Sequence, residues 1–188
     1  MQISVKNQKK RYAMLQVKKW ILFVFLIGFC YILETAGSYK KPLLLIPLAL
    51  CIASHTGEVQ AMSVGAVCGL LLDLACDKLI GFNAIFLVLG CTSVSLLYRY
   101  LLKQKLLNML FLTTVFVLIQ GFVDYIFYYV IWDYEGSELI LQKYILPSCC
   151  MTIVSAVIFY FLIKKIAEKC GSHRIQKLEK MNLSTDSD

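Results

Sequence analysis

Two carboxylates stand inside apolar sequence, and they are the side chains of this 188-residue chain best placed to do chemistry. Asp73 follows Gly65 and Gly69 at four-residue spacing, with Ala61 one turn earlier. Positions i, i+4 and i+8 share one helix face, so these residues form a stripe of nearly bare backbone that ends in a charge. A carboxylate at the centre of a membrane span costs about 2.5–3.5 kcal/mol on insertion scales, so it persists where something holds it. In a functional reading Asp73 takes an ion, a proton or a partner group. In a structural reading it accepts hydrogen bonds from a neighbouring helix end and fixes a tight turn. The following Leu79-Ile80-Gly81-Phe82-Asn83 favours the structural reading, because Gly81 and Asn83 suit a bend and a helix start. Asp124 is the second carboxylate, with Gln120 one turn before it and Tyr128 one turn after. Those three share a face that can clasp another helix by hydrogen bonds or line a proton path, and the clasp is favoured.

The remaining candidates carry less. GxxxG spacing serves close helix packing in any membrane bundle. There is no nucleophile–base motif, no phosphate-cradling glycine loop and no HExxH. Of eight cysteines, Cys30, Cys51, Cys68, Cys91, Cys149 and Cys150 fall within apolar runs and Cys76 at the end of one. They form no CxxC pair and no zinc-ligand spacing; in such places cysteine acts as a small hydrophobe. His55 reads as a turn residue, and His173 stands isolated in the tail. Neither an enzyme, a metal nor an organic cofactor is expected.

The elements that must position these residues are membrane helices. Hydrophobic residues make up 59% of the chain and mean hydropathy is +0.70, too apolar for a soluble domain of this length. Inside a bilayer only helices or a closed barrel satisfy the backbone, and the apolar runs here are continuous rather than alternating, which selects helices. The candidate spans are Trp20–Glu34, Tyr39–Thr56, Val59–Cys76, Leu79–Leu97, Leu106–Trp132 and Ile145–Ile163. The second is the weakest, because its apolar part is short and carries Pro42 and Pro47. A re-entrant hairpin is the alternative there.

Charge placement arbitrates. With six spans and a cytoplasmic N-terminus, fifteen of the nineteen Lys and Arg residues fall on the inner side, leaving Lys40, Lys41, Lys78 and Lys143 outside. If the second segment fails to cross, only eight fall inside. The reading is therefore an all-α polytopic protein with six transmembrane helices and both termini cytoplasmic. Residues 1–19 form a basic N-terminus, 20–163 the six-helix domain, and 164–188 a basic tail with a disordered end. The first span is an uncleaved anchor, since no A-x-A site follows it. The net charge of +7 lies at span ends, where it serves topology and contacts to anionic membrane lipids rather than nucleic acid. Glu34 is placed at the interface, and the aromatics Tyr125, Phe127, Tyr128, Tyr129, Trp132 and Tyr134 read as a belt at the outer headgroups.

From Pro42 to about Asp124 the chain resembles the rod shape-determining protein MreD family of bacterial inner-membrane proteins. The resemblance rests on Gly65-Ala66-Val67-Cys68-Gly69-Leu70-Leu71-Leu72-Asp73-Leu74, on Ile80-Gly81-Phe82-Asn83-Ala84-Ile85, and on Phe122-Val123-Asp124 in the fifth span. It implies a multi-pass protein of the bacterial cell membrane, similar in fold to the substrate-binding S components of vitamin ECF transporters. It further implies a non-enzymatic part of the cell-elongation machinery that binds the bitopic protein MreC. Through MreC it would work with MreB filaments, RodA and a class B penicillin-binding protein, supporting peptidoglycan synthesis and rod shape. The residues marked for helix packing or partner contact are Gly65, Gly69, Asp73, Gly81, Asn83, Gln120 and Asp124. The competing expectation is a transporter subunit of the ECF S-component type, motivated by Asp73, Asp124 and the aromatic outer ends. Against it, the first helix reads Leu22-Phe23-Val24-Phe25-Leu26-Ile27-Gly28-Phe29, without the small residues at four-residue spacing that an S component would use for docking.

Overall fold

The computed structural model describes residues 2–36, 43–76, 79–101, 106–127 and 146–169. These form six helices: α1 (Gln2–Ala36), α2 (Leu45–Ala53), α3 (Glu58–Ala75), α4 (Phe82–Tyr100), α5 (Leu106–Tyr125) and α6 (Leu146–Lys169). Among the described residues there is no strand. Helix is what continuous apolar sequence must adopt when no water is present to satisfy N–H and C=O groups.

Bonds between helices fix their relative directions. Glu34 Oε1 accepts from the Leu45 N–H at the start of α2 (3.3 Å), and Lys19 Nζ donates to the His55 carbonyl just past its end (3.2 Å). Thus α2 runs antiparallel to α1. Asp73, near the end of α3, bonds the first residues of α4, while Glu58 at the start of α3 pairs with Arg99 at the end of α4 (2.9 Å). The partnership of Asn83 with Gln120, and of Gly90 with the Phe116 ring, sets α5 antiparallel to α4. The Leu43 N–H donates to Thr152 Oγ1 (3.2 Å), and from there α6 packs along α2 and α5. Successive helices therefore alternate in direction. Lys19, Arg99, Lys164 and Lys165 gather toward one end, here the basic end, and Glu34, Asp73, Asn83 and Gln120 toward the opposite end.

Among the described residues, four helical segments are long and apolar enough to cross a membrane: Gln16–Ala36, Glu58–Ala75, Phe82–Tyr100 and Leu106–Tyr125. The expected second span, Tyr39–Thr56, holds a shorter helix among its described residues. Its helix has nine residues, about 13 Å at 1.5 Å per residue, well short of a hydrocarbon core of about 30 Å. All nine are buried, because α1, α3, α4, α5 and α6 surround them. Pro47, which weakened the span in sequence, sits third in the helix, where its missing N–H would have had no intrahelical partner. Other bounds shift less: α1 continues as helix through the basic segment before Trp20, and α6 reaches Lys169. Trp132, Tyr128, Tyr129, Tyr134, Asp77, Lys78 and the tail beyond Lys169 lie outside the described residues.

The core sits around α2. Phe23, Ile27 and Cys30 of α1 meet it from one side, Val64, Cys68 and Leu72 of α3 with Leu87, Cys91 and Val94 of α4 from another. Met109 and Val117 of α5 and Phe159 and Ile163 of α6 complete the ring. Cys30, Cys51, Cys68 and Cys91 are free and buried. Large side chains such as Phe25, Leu89, Phe111 and Ile158 point outward, as they can where the surroundings are lipid.

Candidate helix-packing site

The glycine stripe of α3 lies against the backbone of α4, in the most extensive helix contact of the molecule. A Cβ on Gly65 would stand 2.7 Å from the Leu87 carbonyl oxygen, and one on Gly69 would overlap Ala84 Cα. Neither neighbour is the end of a flexible side chain. The two helices approach this closely only because those side chains are absent. That is how membrane helices gain dispersion contact when lipid removes the hydrophobic drive between them.

Asp73 closes the stripe at the end opposite the basic residues. It is fully buried. Its Oδ2 accepts the Gly81 N–H at 2.7 Å and its Oδ1 the Asn83 N–H at 3.1 Å. Gly81 is the N-cap of α4 and Asn83 its second helical residue, so the carboxylate satisfies donors that the start of a helix leaves without partners. Bonds to an ionised acceptor are the stronger kind, and negative charge is favoured at a helix N-terminus. Gly81 has φ +100°, the left-handed region that costs a residue with a side chain about 1–2 kcal/mol. That conformation turns the chain so sharply that both N–H groups face back toward α3.

Asn83 connects this cap to α5. Its backbone N–H goes to Asp73 and its Oδ1 accepts from Gln120 Nε2 at 2.6 Å. Asn83 and Gln120 are each 1% exposed. Around them, Phe82 packs on Phe86 and Phe127 with ring centroids 5.5 and 5.1 Å apart, and the Phe116 ring enters the notch that Gly90 leaves in α4. Gly65, Gly69, Asp73, Gly81, Asn83 and Gln120 thus form one continuous arrangement over three helices. Asp124 lies half-buried one turn beyond Gln120. Tyr128, the third residue of the proposed polar face, lies outside the described residues.

Sequence reasoning missed a second pair of helix-end contacts. Glu34, placed at the interface, is 2% exposed and caps α2. Lys19, counted as a topology charge, is 6% exposed at the other end of the same helix. Acid at the N-terminus and cation at the C-terminus both match the helix dipole. A signal was available: α2 has Leu44 at its N-cap, a residue that cannot cap, so its donors need help from elsewhere. Gly90 was likewise overlooked, since no motif marks it.

Chemically, the arrangement binds backbone. Both Asp73 oxygens already accept N–H groups. Among the described residues, no group of three or more His, Cys, Asp or Glu could hold a metal ion.

Comparison with protein families matches residues 9–170 to the model described as rod shape-determining protein MreD. Comparison with curated proteins and with solved structures returned no match.

Proposed function

This chain belongs to the rod shape-determining protein MreD family, and from that premise we propose that it is a non-enzymatic membrane scaffold of the bacterial cell-elongation complex. In this reading it binds an MreC-like bitopic protein and, through it, works with MreB filaments, RodA and a class B penicillin-binding protein to support peptidoglycan synthesis. The observation that carries the proposal is the family match across 9–170. A second one supports it: the buried polar groups of α3 and α4 are engaged in holding helices together. Gly65, Gly69, Asp73, Gly81 and Asn83 are then packing residues that shape the scaffold, and Gln120 and Asp124 the polar face of α5.

The same proposal includes six crossings with both termini in the cytoplasm. Alternating helix directions, and the gathering of Lys19, Arg99, Lys164 and Lys165 toward one end, support it. So does the Glu34–Lys19 clamp: those residues lie about 22 Å apart along α1, so α2 and its flanking turns cover most of a bilayer. Residues 1–19 and 164–188 are the cytoplasmic segments.

Co-expression with the MreC-like protein tests the partnership. Co-purification in mild detergent, with loss of rod shape on depletion, is the expected result. No co-purification together with normal shape after depletion would overturn it. The transporter alternative drew on Asp73, whose oxygens are both occupied. A thermal-shift series with vitamins should show no stabilisation, and liposomes holding the protein alone should show no solute flux.

A further inference from the structure

Closing α5 onto α4 leaves buried polar atoms without partners. Asn83 and Gln120 share one hydrogen bond, and Asn83 Nδ2 and Gln120 Oε1 have none. Turning both amides over exchanges the atoms and leaves the same deficit. Two turns back along α5, Thr113 is 0% exposed and its Oγ1 has no partner either. A buried donor or acceptor without a partner loses its hydration and gains nothing in return. The rest of the contact is made by rings: Phe116 against Gly90, and Phe127 against Phe82. Rings at the ends of side chains can withdraw. The backbone-on-backbone contact at Gly65 and Gly69 cannot loosen without separating whole helices. Among the described residues α5 rests broadly on α6 and only thinly on α4, and sparse contact marks the part of a fold that opens first.

We propose that α5 rocks on α6 away from α4 at the end opposite the basic residues, breaking the Gln120–Asn83 bond while α3 and α4 stay locked. The amide pair is the latch of this movement. The Asp73 cap is not involved, because the Gly81 and Asn83 N–H groups remain bonded when Gln120 leaves. The movement belongs to the bundle itself and stands whatever partners the protein has.

Spin-label distances in lipid nanodiscs test this. Met62→Cys, a fixed point on α3, is paired with Phe122→Cys, which lies just beyond the latch on α5, and with Ile85→Cys on α4 as the control; all three positions are exposed. Cys30, Cys51, Cys68 and Cys91 are at most 1% exposed and do not take label, while the other native cysteines are replaced by alanine. The latch pair should show two distance populations and the control pair one. Asn83→Leu with Gln120→Leu removes both partnerless atoms and should lower the longer-distance population about tenfold. Gln120→Ala alone, which deletes the bond and keeps the Phe packing, should raise it. A single narrow latch distance in the native sequence, or a longer-distance population that Gln120→Ala fails to raise, overturns the proposal.

Discussion

The two faces of α4 are held by opposite means. Toward α3 it presents Ala84 and Leu87 to glycines, so that backbone meets backbone, and a buried carboxylate from α3 ties down its first turn. Toward α5 it presents a notch to a phenylalanine ring and shares one amide hydrogen bond. The first contact has little slack, since its glycines meet backbone, which cannot move aside by rotating a side chain. The second is adjustable and leaves polar atoms without partners. In lipid, stiffness therefore comes from removing side chains and finishing the hydrogen bonds, and compliance from larger side chains with bonds left incomplete.

Substitutions can break this contrast. Gly69→Leu should have the largest effect, because its Cβ meets Ala84 backbone rather than a movable group. Overpacking of a well-packed core costs about 1–3 kcal/mol and occasionally more, and here it separates α3 from α4. Thermal unfolding in mild detergent should show a large loss or no folded protein. Gly81→Ala comes next, at about 1–2 kcal/mol for the left-handed conformation alone, although its Cβ would have open space. Gln120→Leu leaves the Asn83 amide without its partner, about 1–3 kcal/mol. The double change Asn83→Leu with Gln120→Leu should cost less than that single one, which a double-mutant cycle by thermal unfolding would read directly. Gly90→Ala should cost about 1 kcal/mol, the low end for overpacking, because one edge of the Phe116 ring must yield rather than backbone. Gly28→Ala is smallest and of opposite sign: a Cβ there meets nothing within 4 Å, so relief of glycine's helix penalty should raise stability by about 0.5–1 kcal/mol, and the melting temperature with it.

What could be read in the sequence follows from what is local. Helical class, the stripe at Gly65, Gly69 and Asp73, and the turn at Gly81 depend on spacing along the chain, and spacing is visible. The length of α2 was not. A segment of bilayer length and a nine-residue helix wrapped by five others have the same apolar letters, and burial by protein rather than lipid leaves no mark on them. Glu34 reads in sequence as an interfacial charge and Lys19 as a topology charge, because charges at span ends usually are. Their work on α2 becomes apparent only when that helix lies alongside α1. The Asn83–Gln120 bond joins residues thirty-seven apart, a distance at which no periodicity helps.

The central claim is that Asp73 and its glycines build the scaffold rather than perform a reaction or carry a solute. Co-purification with the proposed MreC-like partner, compared between Asp73→Asn and Gly69→Leu at equal recovery of folded protein, tests it most directly. Asparagine keeps the shape and an acceptor oxygen for the α4 cap, so Asp73→Asn should retain most of the partner while Gly69→Leu loses it. A folded Asp73→Asn protein that loses the partner as completely as Gly69→Leu would contradict the account.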